Sequence, residues 1–213
     1  MHMGLWHALL DALLPHHCAH CRKLGTPLCD TCMASIHFKV LTAKSDLVPH
    51  YTSTAHLHGS PALRSAIHAL KYSGVRALAP ILATSMRDAL VAHPVLSENP
   101  ILMPVPMWPS RQQERGYNQA HELAHHLGLL CALEVRADLV ARTRNTQSQV
   151  SSATRDQRIA HMNGAFSCPV APSSRPIVII DDVITTGATV SACRQALLDA
   201  GARDVRILGL AHG

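Results

Sequence analysis

The stretch IVIIDDVITTGATV, residues 177–190, joins an apolar run to two acids, a threonine–glycine turn and the apolar start of a further segment. A continuous run of β-branched residues from Ile177 to Ile180 is typical of a strand that is buried on both faces of a parallel sheet. Asp181 and Asp182 follow it at the carboxyl end, where open α/β sheets bind their ligands. The stretch therefore predicts an α/β fold with a ligand site at this edge.

The turn after the acids has the composition of an anion site. Backbone N–H groups at a helix N-terminus and the helix dipole attract negative charge. Glycine lets the backbone approach an anion closely, and threonine hydroxyls can donate hydrogen bonds to it. These residues are Thr185, Thr186, Gly187, Ala188 and Thr189. Adjacent carboxylates would repel a bare phosphate, so we expect them to hold sugar hydroxyls or a metal. A sugar phosphate fits the whole pattern, and a solvated acidic turn is the alternative.

Apolar periodicity outward from this stretch predicts alternating helices and strands. We expect helices near 61–72, 78–90, 120–127 and 190–200, and strands near 101–106, 133–140 and 205–208. The polar residues 108–118 are expected to form a loop. Strands that alternate with helices favour a doubly wound, mostly parallel sheet.

Four cysteines occur as two CxxC pairs in the segment CAHCRKLGTPLCDTC; they are Cys18, Cys21, Cys29 and Cys32. Two such turns can enclose a tetrahedral ion, and thiolates favour zinc or iron. We predict a structural zinc site, with reduced thiols and a redox pair as alternatives. His16, His17 and His20 are near enough to replace a cysteine ligand. Cys131, Cys168 and Cys193 are interpreted as small core residues.

The residues before the cysteines form an apolar stripe of a short helix, with Leu5, Leu9 and Leu13 on one side. We expect this helix to dock onto the domain, and a membrane-surface or partner helix is the alternative. The predicted division is a module over 1–40, with the helix and the zinc knuckle, and an α/β domain over 41–213.

Composition narrows the class of protein and its partners. The 213-residue chain has a formal charge of +5, which favours phosphorylated metabolites, nucleic acid or anionic lipid. Because it has no long Lys/Arg run, a dedicated DNA-binding tail is not expected. It contains no run of eighteen apolar residues and no signal-peptide pattern, so we predict no membrane span and a cytoplasmic location.

The segment IVIIDDVITTGAT resembles the motif with which type I phosphoribosyltransferases bind 5-phosphoribosyl 1-diphosphate (PRPP). The chain as a whole is similar to the ComF family of competence proteins, whose members join a cysteine zinc knuckle to such a domain. The matching stretches are CAHC, CDTC, ALKYSG, PVP, RGYNQA, RTRNTQSQ and DDVITTGAT. The resemblance implies a type I phosphoribosyltransferase fold with a small N-terminal zinc-binding module.

The resemblance also implies roles for individual residues. Asp181 and Asp182 would hold the ribose, and the 185–189 turn would hold its 5-phosphate. Arg111 and Arg115 would neutralise the diphosphate, which is bound with magnesium. Residues 142–158 occupy the place of a loop that closes over the site, with Arg142, Arg144 and Arg155 as its cations. We expect Asp181, Asp182 and Arg144 to act in catalysis; Lys71 is a substrate contact or a surface lysine.

Two functions follow from the resemblance. One is a phosphoribosyltransferase with an unknown acceptor, in which C1 of PRPP loses pyrophosphate through an oxocarbenium-like state. The other is a non-catalytic competence factor that senses PRPP and binds nucleic acid. The family is linked to DNA uptake in natural transformation. The expected partners are PRPP, single- or double-stranded DNA bound weakly and without sequence preference, and other competence proteins.

Overall fold

The computed structural model describes residues 17–43, 51–145 and 164–213, and the structural statements below refer to these. The strands are β1 (Leu41–Ala43), β2 (Tyr51–Ser53), β3 (Ile101–Pro104), β4 (Ala141–Arg142), β5 (Phe166–Ser167), β6 (Ile177–Ile184) and β7 (Val205–His212). The helices are α1 (Asp30–Ala34), α2 (Pro61–Tyr72), α3 (Leu78–Val91), α4 (Pro109–Arg115), α5 (Gln119–Cys131) and α6 (Ala188–Asp199). A 3₁₀ helix covers Pro94–Glu98.

The centre of the fold is a mixed five-stranded sheet with the order β1-β2-β7-β6-β3. β2, β7, β6 and β3 run parallel to one another, and β1 is antiparallel to β2 at the edge. β4 and β5 form a separate antiparallel pair. The predicted α/β class is confirmed, and the antiparallel edge strand makes the sheet mixed.

Helices cover both faces of this sheet, because successive side chains of each central strand point to opposite sides. On one face, strand residues pack with α2, α3 and α5; they are Leu102, Val178, Ile180, Leu208 and Leu210. On the other face, alternate strand residues pack with α6; they are Ile101, Met103, Ile177, Ile179, Val205 and Ile207. The β-branched run from Ile177 to Ile180 is therefore buried on both faces, as its composition predicts.

Helix α2 begins and ends as its sequence predicts. Ser60 is its N-cap and accepts a hydrogen bond from the Leu63 N–H at 3.2 Å, while Pro61 occupies the first helical position, where no N–H is needed. Leu63, Ile67 and Leu70 face the core. This packing leaves Lys71, in the last turn, at the edge of the sheet.

Two segments differ from their predictions. Residues 109–115 form α4 rather than a loop; Pro109 opens this helix, and its Arg, Gln and Glu residues have good helix propensity. The helix buries none of its side chains, so it leaves no apolar period in the sequence. Residues 133–140 form no named strand, and only an isolated bridge joins Val135 to Leu102.

The cysteine segment packs onto the main core. Cys18, Cys29 and Cys32 belong to the same cluster of buried residues as Leu63 of α2. The predicted N-terminal helix lies outside the described residues, so the division at residue 40 stays a prediction. In the ranges that the structure describes, no helix combines the length and apolar character needed to cross a bilayer.

Candidate functional site

A polar cleft of about 190 Å³ opens at the carboxyl edge of the sheet, between β3 and β6. β3 pairs with β6 only as far as Pro104, opposite Ile180, whereas β6 continues to Ile184 beside β7. Because β3 ends there, β6 has no neighbour on that side beyond Ile180, and Asp181 and Asp182 face the cleft. The strand thus continues beyond its apolar run. The charged residues that line the cleft are Lys71, Arg111, Arg115, Arg142, Asp181 and Asp182.

The acid pair is held by its own backbone and by one lysine. Asp181 Oδ1 accepts a hydrogen bond from the Asp182 N–H at 2.9 Å, and Asp182 Oδ1 accepts one from the Val183 N–H at 2.8 Å. Lys71 Nζ lies 2.8 Å from Asp182 Oδ2, and Asp182 is 3% exposed. The lysine is therefore part of the site and not a solvated surface residue.

Burial and mutual repulsion perturb these charges. Burial, followed by the nearby charge of Asp182, raises the pKa of Asp181 to about 8, although Lys71 opposes the shift. Burial alone would lower the pKa of Lys71, but the two carboxylates outweigh it and raise the pKa. One acid of the pair thus holds a proton near neutral pH, and a cation entering the cleft would displace that proton.

The threonine–glycine turn leads directly into α6. Gly187 has a φ of 77°, which a side-chain-bearing residue adopts with difficulty, and α6 begins at the next residue. Thr186 Oγ1 accepts from the Ala188 N–H at 3.4 Å, and Thr189 lines the cleft. Thr185, Thr186, Gly187 and Ala188 form the adjoining turn and do not line the cleft.

The predicted arginines divide into three groups. Arg111 and Arg115 of α4 line the cleft, as does Arg142 of β4, whose guanidinium lies 5.3 Å from the centre of the Phe166 ring. Burial lowers the pKa of Arg142. Arg144 is exposed and lies outside the cleft lining. Arg155 lies outside the described residues.

The turn between α4 and α5 fixes the second wall of the cleft. Gly116 has a φ of 82° and ends α4, and the buried Tyr117 donates its hydroxyl to the Leu70 carbonyl oxygen. Asn118 caps α5 by accepting from the Ala120 N–H at 3.0 Å, and its Nδ2 donates to the Val105 carbonyl oxygen at 2.9 Å. These bonds hold the RGYN turn between α2, the end of β3 and the start of α5.

Three polar side chains that line the cleft have no role in the sequence-based prediction. Tyr72, Asn118 and Gln119 all line the cleft, and the Gln119 amide oxygen accepts from Arg115. The N-cap pattern of Asn118 before a helix could have placed that residue. Tyr72 gave no signal, because an aromatic residue at the end of an amphipathic helix is usually part of the core.

The cleft has four cationic side chains and two carboxylates. Such a balance suits an anion with several charges together with a divalent metal ion, since carboxylate oxygens are the protein ligands that magnesium prefers. The cations are Lys71, Arg111, Arg115 and Arg142. Their separation over two helices and one strand allows contact with more than one anionic group.

A second site lies at the four cysteines. The sulfur atoms of Cys18, Cys21, Cys29 and Cys32 all lie within 4.8 Å of one another. Sulfurs at the corners of a tetrahedral zinc site, with Zn–S bonds of about 2.3 Å, are ~3.8 Å apart, so the cluster fits a metal such as zinc. None of the seven cysteines forms a disulfide.

The surroundings of the sulfurs favour the thiolate form of Cys18 and disfavour that of Cys32 while no metal is bound. Burial acts to raise the pKa of Cys18, but backbone N–H groups that include that of Cys29 outweigh burial and lower this pKa to about 6. Burial and the neighbouring sulfurs raise the pKa of Cys32 to about 12. His17 is exposed and His20 contacts Ser65 at 3.2 Å, so within residues 17–43 the cluster is made by cysteines alone. Cys193 is fully buried, whereas Cys131 and Cys168 are half-buried.

Comparison with known proteins gives several relatives. The chain is 33% identical to Competence protein F of Haemophilus influenzae over 140 residues, which cover 64% of this chain and 60% of the relative. It is 32% identical to DNA utilization protein YhgH of Escherichia coli over 151 residues, or 70% of this chain and 66% of the relative. Competence protein ComFC of Streptococcus pneumoniae is 31% identical over 108 residues, or 50% of this chain and 45% of the relative. The matches thus span less than two thirds of the relatives' own lengths. No family model matches the chain.

Proposed function

We propose, from the premise that the chain belongs to the ComF family of competence proteins, that its cleft binds PRPP together with magnesium. On this proposal the α/β domain has the type I phosphoribosyltransferase fold. The motif at residues 177–190 and the position of the cleft at the end of β6 support it. The wider role proposed is in competence and DNA utilisation, in line with the names of the relatives.

The observation that carries the proposal is that cations enclose two adjacent acids, of which Asp182 is buried and Asp181 is half-buried. Asp182 is 3% exposed, and a buried carboxylate with an acidic neighbour is costly unless something compensates for it. Lys71 compensates for one charge at 2.8 Å. The raised pKa of Asp181 shows that Lys71 alone does not compensate for a second ionised carboxylate. Ribose hydroxyls or a magnesium ion would complete the balance.

The adjoining turn and the cations of the cleft would each take one of the two anionic ends of PRPP. The 185–189 turn, at the N-terminus of α6, would take the 5-phosphate through its backbone N–H groups. Arg111 and Arg115 lie on α4, across the cleft from β6, and would take the diphosphate. Bidentate guanidinium contacts suit phosphate oxygens. Magnesium, when bound, would offset the charge that the departing pyrophosphate gains.

As a transferase, the protein would act by positioning and charge stabilisation. Asp181 and Asp182 would orient the ribose and stabilise the positive charge that develops at C1. The negative charge of the leaving pyrophosphate would be stabilised by Arg111, Arg115 and Arg142. Arg144 is proposed to act with the segment that follows it. The proposal does not identify the acceptor substrate. The proposed class is a pentosyltransferase that excludes water from C1.

The second candidate function is a PRPP sensor that handles nucleic acid without transfer. The formal charge of +5 favours it, since polyanions bind basic proteins. The two functions differ in the fate of PRPP. A transferase consumes PRPP and releases pyrophosphate when an acceptor is present, whereas a sensor leaves PRPP intact. Phosphorus NMR of PRPP, magnesium and protein with a mixture of nitrogenous acceptors separates the two.

The four-cysteine cluster is proposed to hold structural zinc through Cys18, Cys21, Cys29 and Cys32. A closed set of four protein ligands leaves no coordination position for substrate, which is the pattern of structural sites. The bound ion would fix the cysteine segment against α2.

Isothermal calorimetry tests the cleft. The wild-type protein should bind PRPP only with magnesium, and Asp181→Asn/Asp182→Asn should abolish that binding while leaving the protein folded. A double change at surface acids outside the cleft, Asp199→Asn/Asp204→Asn, serves as the matched control and should bind as the wild type does. Unchanged affinity in the folded cleft variant would contradict the proposal.

A further inference from the structure

The exposed face of α2 carries a row of three side chains, Arg64, His68 and Tyr72, each four residues after the last. They lie on the side of the helix opposite the core-facing residues Leu63 and Leu70. Residues four apart are neighbours on a helix surface, so the row is continuous over about 12 Å. We call it the α2 row. It runs between the two sites already described.

The first end of the α2 row borders an open groove of about 540 Å³ beside the cysteine segment. Arg22 and His17 line one wall, and Arg64 and His68 line the other. None of the described residues that line this groove is acidic. His20 Nδ1 lies 3.2 Å from Ser65 Oγ and joins the two walls. The groove therefore presents fixed positive charge from two separate elements.

The other end of the α2 row is the rim of the cleft. Tyr72 is 65% exposed, and it is the exposed one among the Phe, Tyr and Trp side chains that the structure describes. Its ring centre lies 4.9 Å from that of His68 and 5.1 Å from the guanidinium carbon of Arg115. An exposed aromatic ring costs solvation free energy, and a stacking ligand would offset that cost. Glu114 is the acid that shares this rim.

Exposed arginines beside an exposed aromatic ring are features that bind single-stranded nucleic acid. Its phosphates need cations along a groove, and its unpaired bases stack on aromatic side chains and guanidinium planes. A duplex already stacks its bases on one another, so the ring of Tyr72 would add nothing to duplex binding. An acidic peptide would use the arginines but would leave the ring without a partner.

We propose that single-stranded nucleic acid lies along the α2 row, with phosphates at Arg22 and Arg64 and a base on Tyr72, and so reaches the rim of the cleft from the cysteine segment. The inference rests on the DNA-handling part of the proposed function. The inference specifies where nucleic acid binds, the path that it follows along α2, and a preference for single strands over duplexes.

Fluorescence anisotropy with the full, zinc-replete chain and a labelled oligo(dT) of about 20 nucleotides tests the proposal. The wild type should bind oligo(dT) tighter than a duplex of equal length by about fivefold or more. Arg22→Glu/Arg64→Glu should weaken oligo(dT) binding by about 10-fold or more, and should reduce the salt slope by ~0.7 for each phosphate that the protein no longer neutralises. Arg87→Glu/Arg203→Glu is the matched charge control and should weaken binding far less.

Tyr72 separates stacking from charge. Tyr72→Ala should weaken oligo(dT) binding by about 10-fold, and Tyr72→Trp should retain tight binding because it keeps an aromatic ring for a base to stack on. Neither change alters the charge of the protein, so the difference between the two variants measures stacking. Equal weakening in the two arginine pairs, duplex binding as tight as oligo(dT) binding, or no weakening in Tyr72→Ala would overturn the proposal. Competition by polyglutamate as strong as by oligo(dT) would also overturn it.

Calorimetry with PRPP and magnesium on the same samples keeps the two proposals distinct. Arg22 and Arg64 lie outside the cleft lining, so their double variant should bind PRPP as the wild type does. If the protein binds oligo(dT) through the α2 row but does not bind PRPP, only the proposal that the cleft binds PRPP is contradicted. A protein that binds PRPP but not oligo(dT) would contradict the α2 row alone.

Discussion

The hydroxyl of Tyr117 donates a hydrogen bond to the main-chain oxygen of Leu70, which precedes it by 47 residues. Leu70 is the residue before Lys71, the cation that pairs with Asp182. One buried bond therefore ties the RGYN turn, the end of α2 and the acid pair of β6 into a single arrangement. The distance between the two walls of the cleft depends on it.

We expect Tyr117→Phe to destabilise the protein by about 1–3 kcal/mol, because it leaves a buried carbonyl oxygen without its donor. It should also weaken ligand binding in the cleft, because the bond to Leu70 helps to hold the neighbouring Lys71 in position. Chemical denaturation and calorimetry measure the two effects. Tyr72→Phe removes a hydroxyl from an exposed tyrosine and should leave stability unchanged; an equal loss of stability in both variants would contradict this interpretation.

Removing the partner of a buried charge should cost more than removing the pair. Lys71→Met leaves Asp182 buried beside Asp181, and we expect a loss of ~3 kcal/mol in unfolding free energy. Adding Asp182→Asn to Lys71→Met should recover much of that loss. Lys71→Arg retains the charge and should be the mildest change. Urea denaturation of these variants and of Asp182→Asn gives the coupling energy; additive single effects would exclude a functional pair.

The acid pair should make stability depend on pH. Asp181 has a pKa of about 8 in the folded chain, against ~3.9 for an aspartate in an unfolded chain. Between these values the folded state holds a proton that the unfolded state has released, so stability falls as the pH rises from about 4 to about 8.

Asp181→Asn removes this proton linkage. The variant should gain stability relative to the wild type, by an amount that grows through the same pH window and is constant above it. Urea denaturation at steps between about pH 4 and about pH 9 measures the gain. Asp199→Asn, on the exposed side of α6, should show no such trend. A gain independent of pH would mean that Asp181 is ionised throughout.

The cysteine cluster should hold one metal ion per chain. Elemental analysis of protein purified under reducing conditions should find zinc, whereas iron would give visible absorption. Cys29→Ser should abolish binding and lower the melting temperature, since metal binding and local folding are coupled. Cys131→Ser, outside the cluster, should retain the metal. Metal-free wild-type protein that melts like metal-loaded protein would contradict a structural role.

Patterns with a strict period or a strict spacing were predictable from the sequence. The run from Ile177 to Ile180 predicted a strand buried on both faces, and the two CxxC pairs predicted the sulfur cluster. α4 was not predictable, because a helix that buries no side chain carries no apolar period. The length of β6 was also missed: Val183 and Ile184 extend it only because β7, which lies beyond α6 in the sequence, pairs with them.

Site residues followed the same division. Asp181 and Asp182 were predictable from their position after a buried strand. Lys71 was left undecided, since a lysine in the last turn of a helix is usually solvated, and its partner lies on a distant strand. Tyr72 is not predictable as a cleft residue, because its place there depends on Arg115, which lies on a different helix.

The order of the strands has a consequence for synthesis of the chain. β7 follows the other strands in sequence but lies between β2 and β6 in the sheet, where Thr52 pairs with Leu208. The nascent chain therefore cannot complete the sheet until β7 has left the ribosome, and β2, which can pair with β1 early, must wait more than 150 residues for its second partner. The four cysteines lie within fifteen residues of one another, so we expect their segment to close before the sheet does during translation.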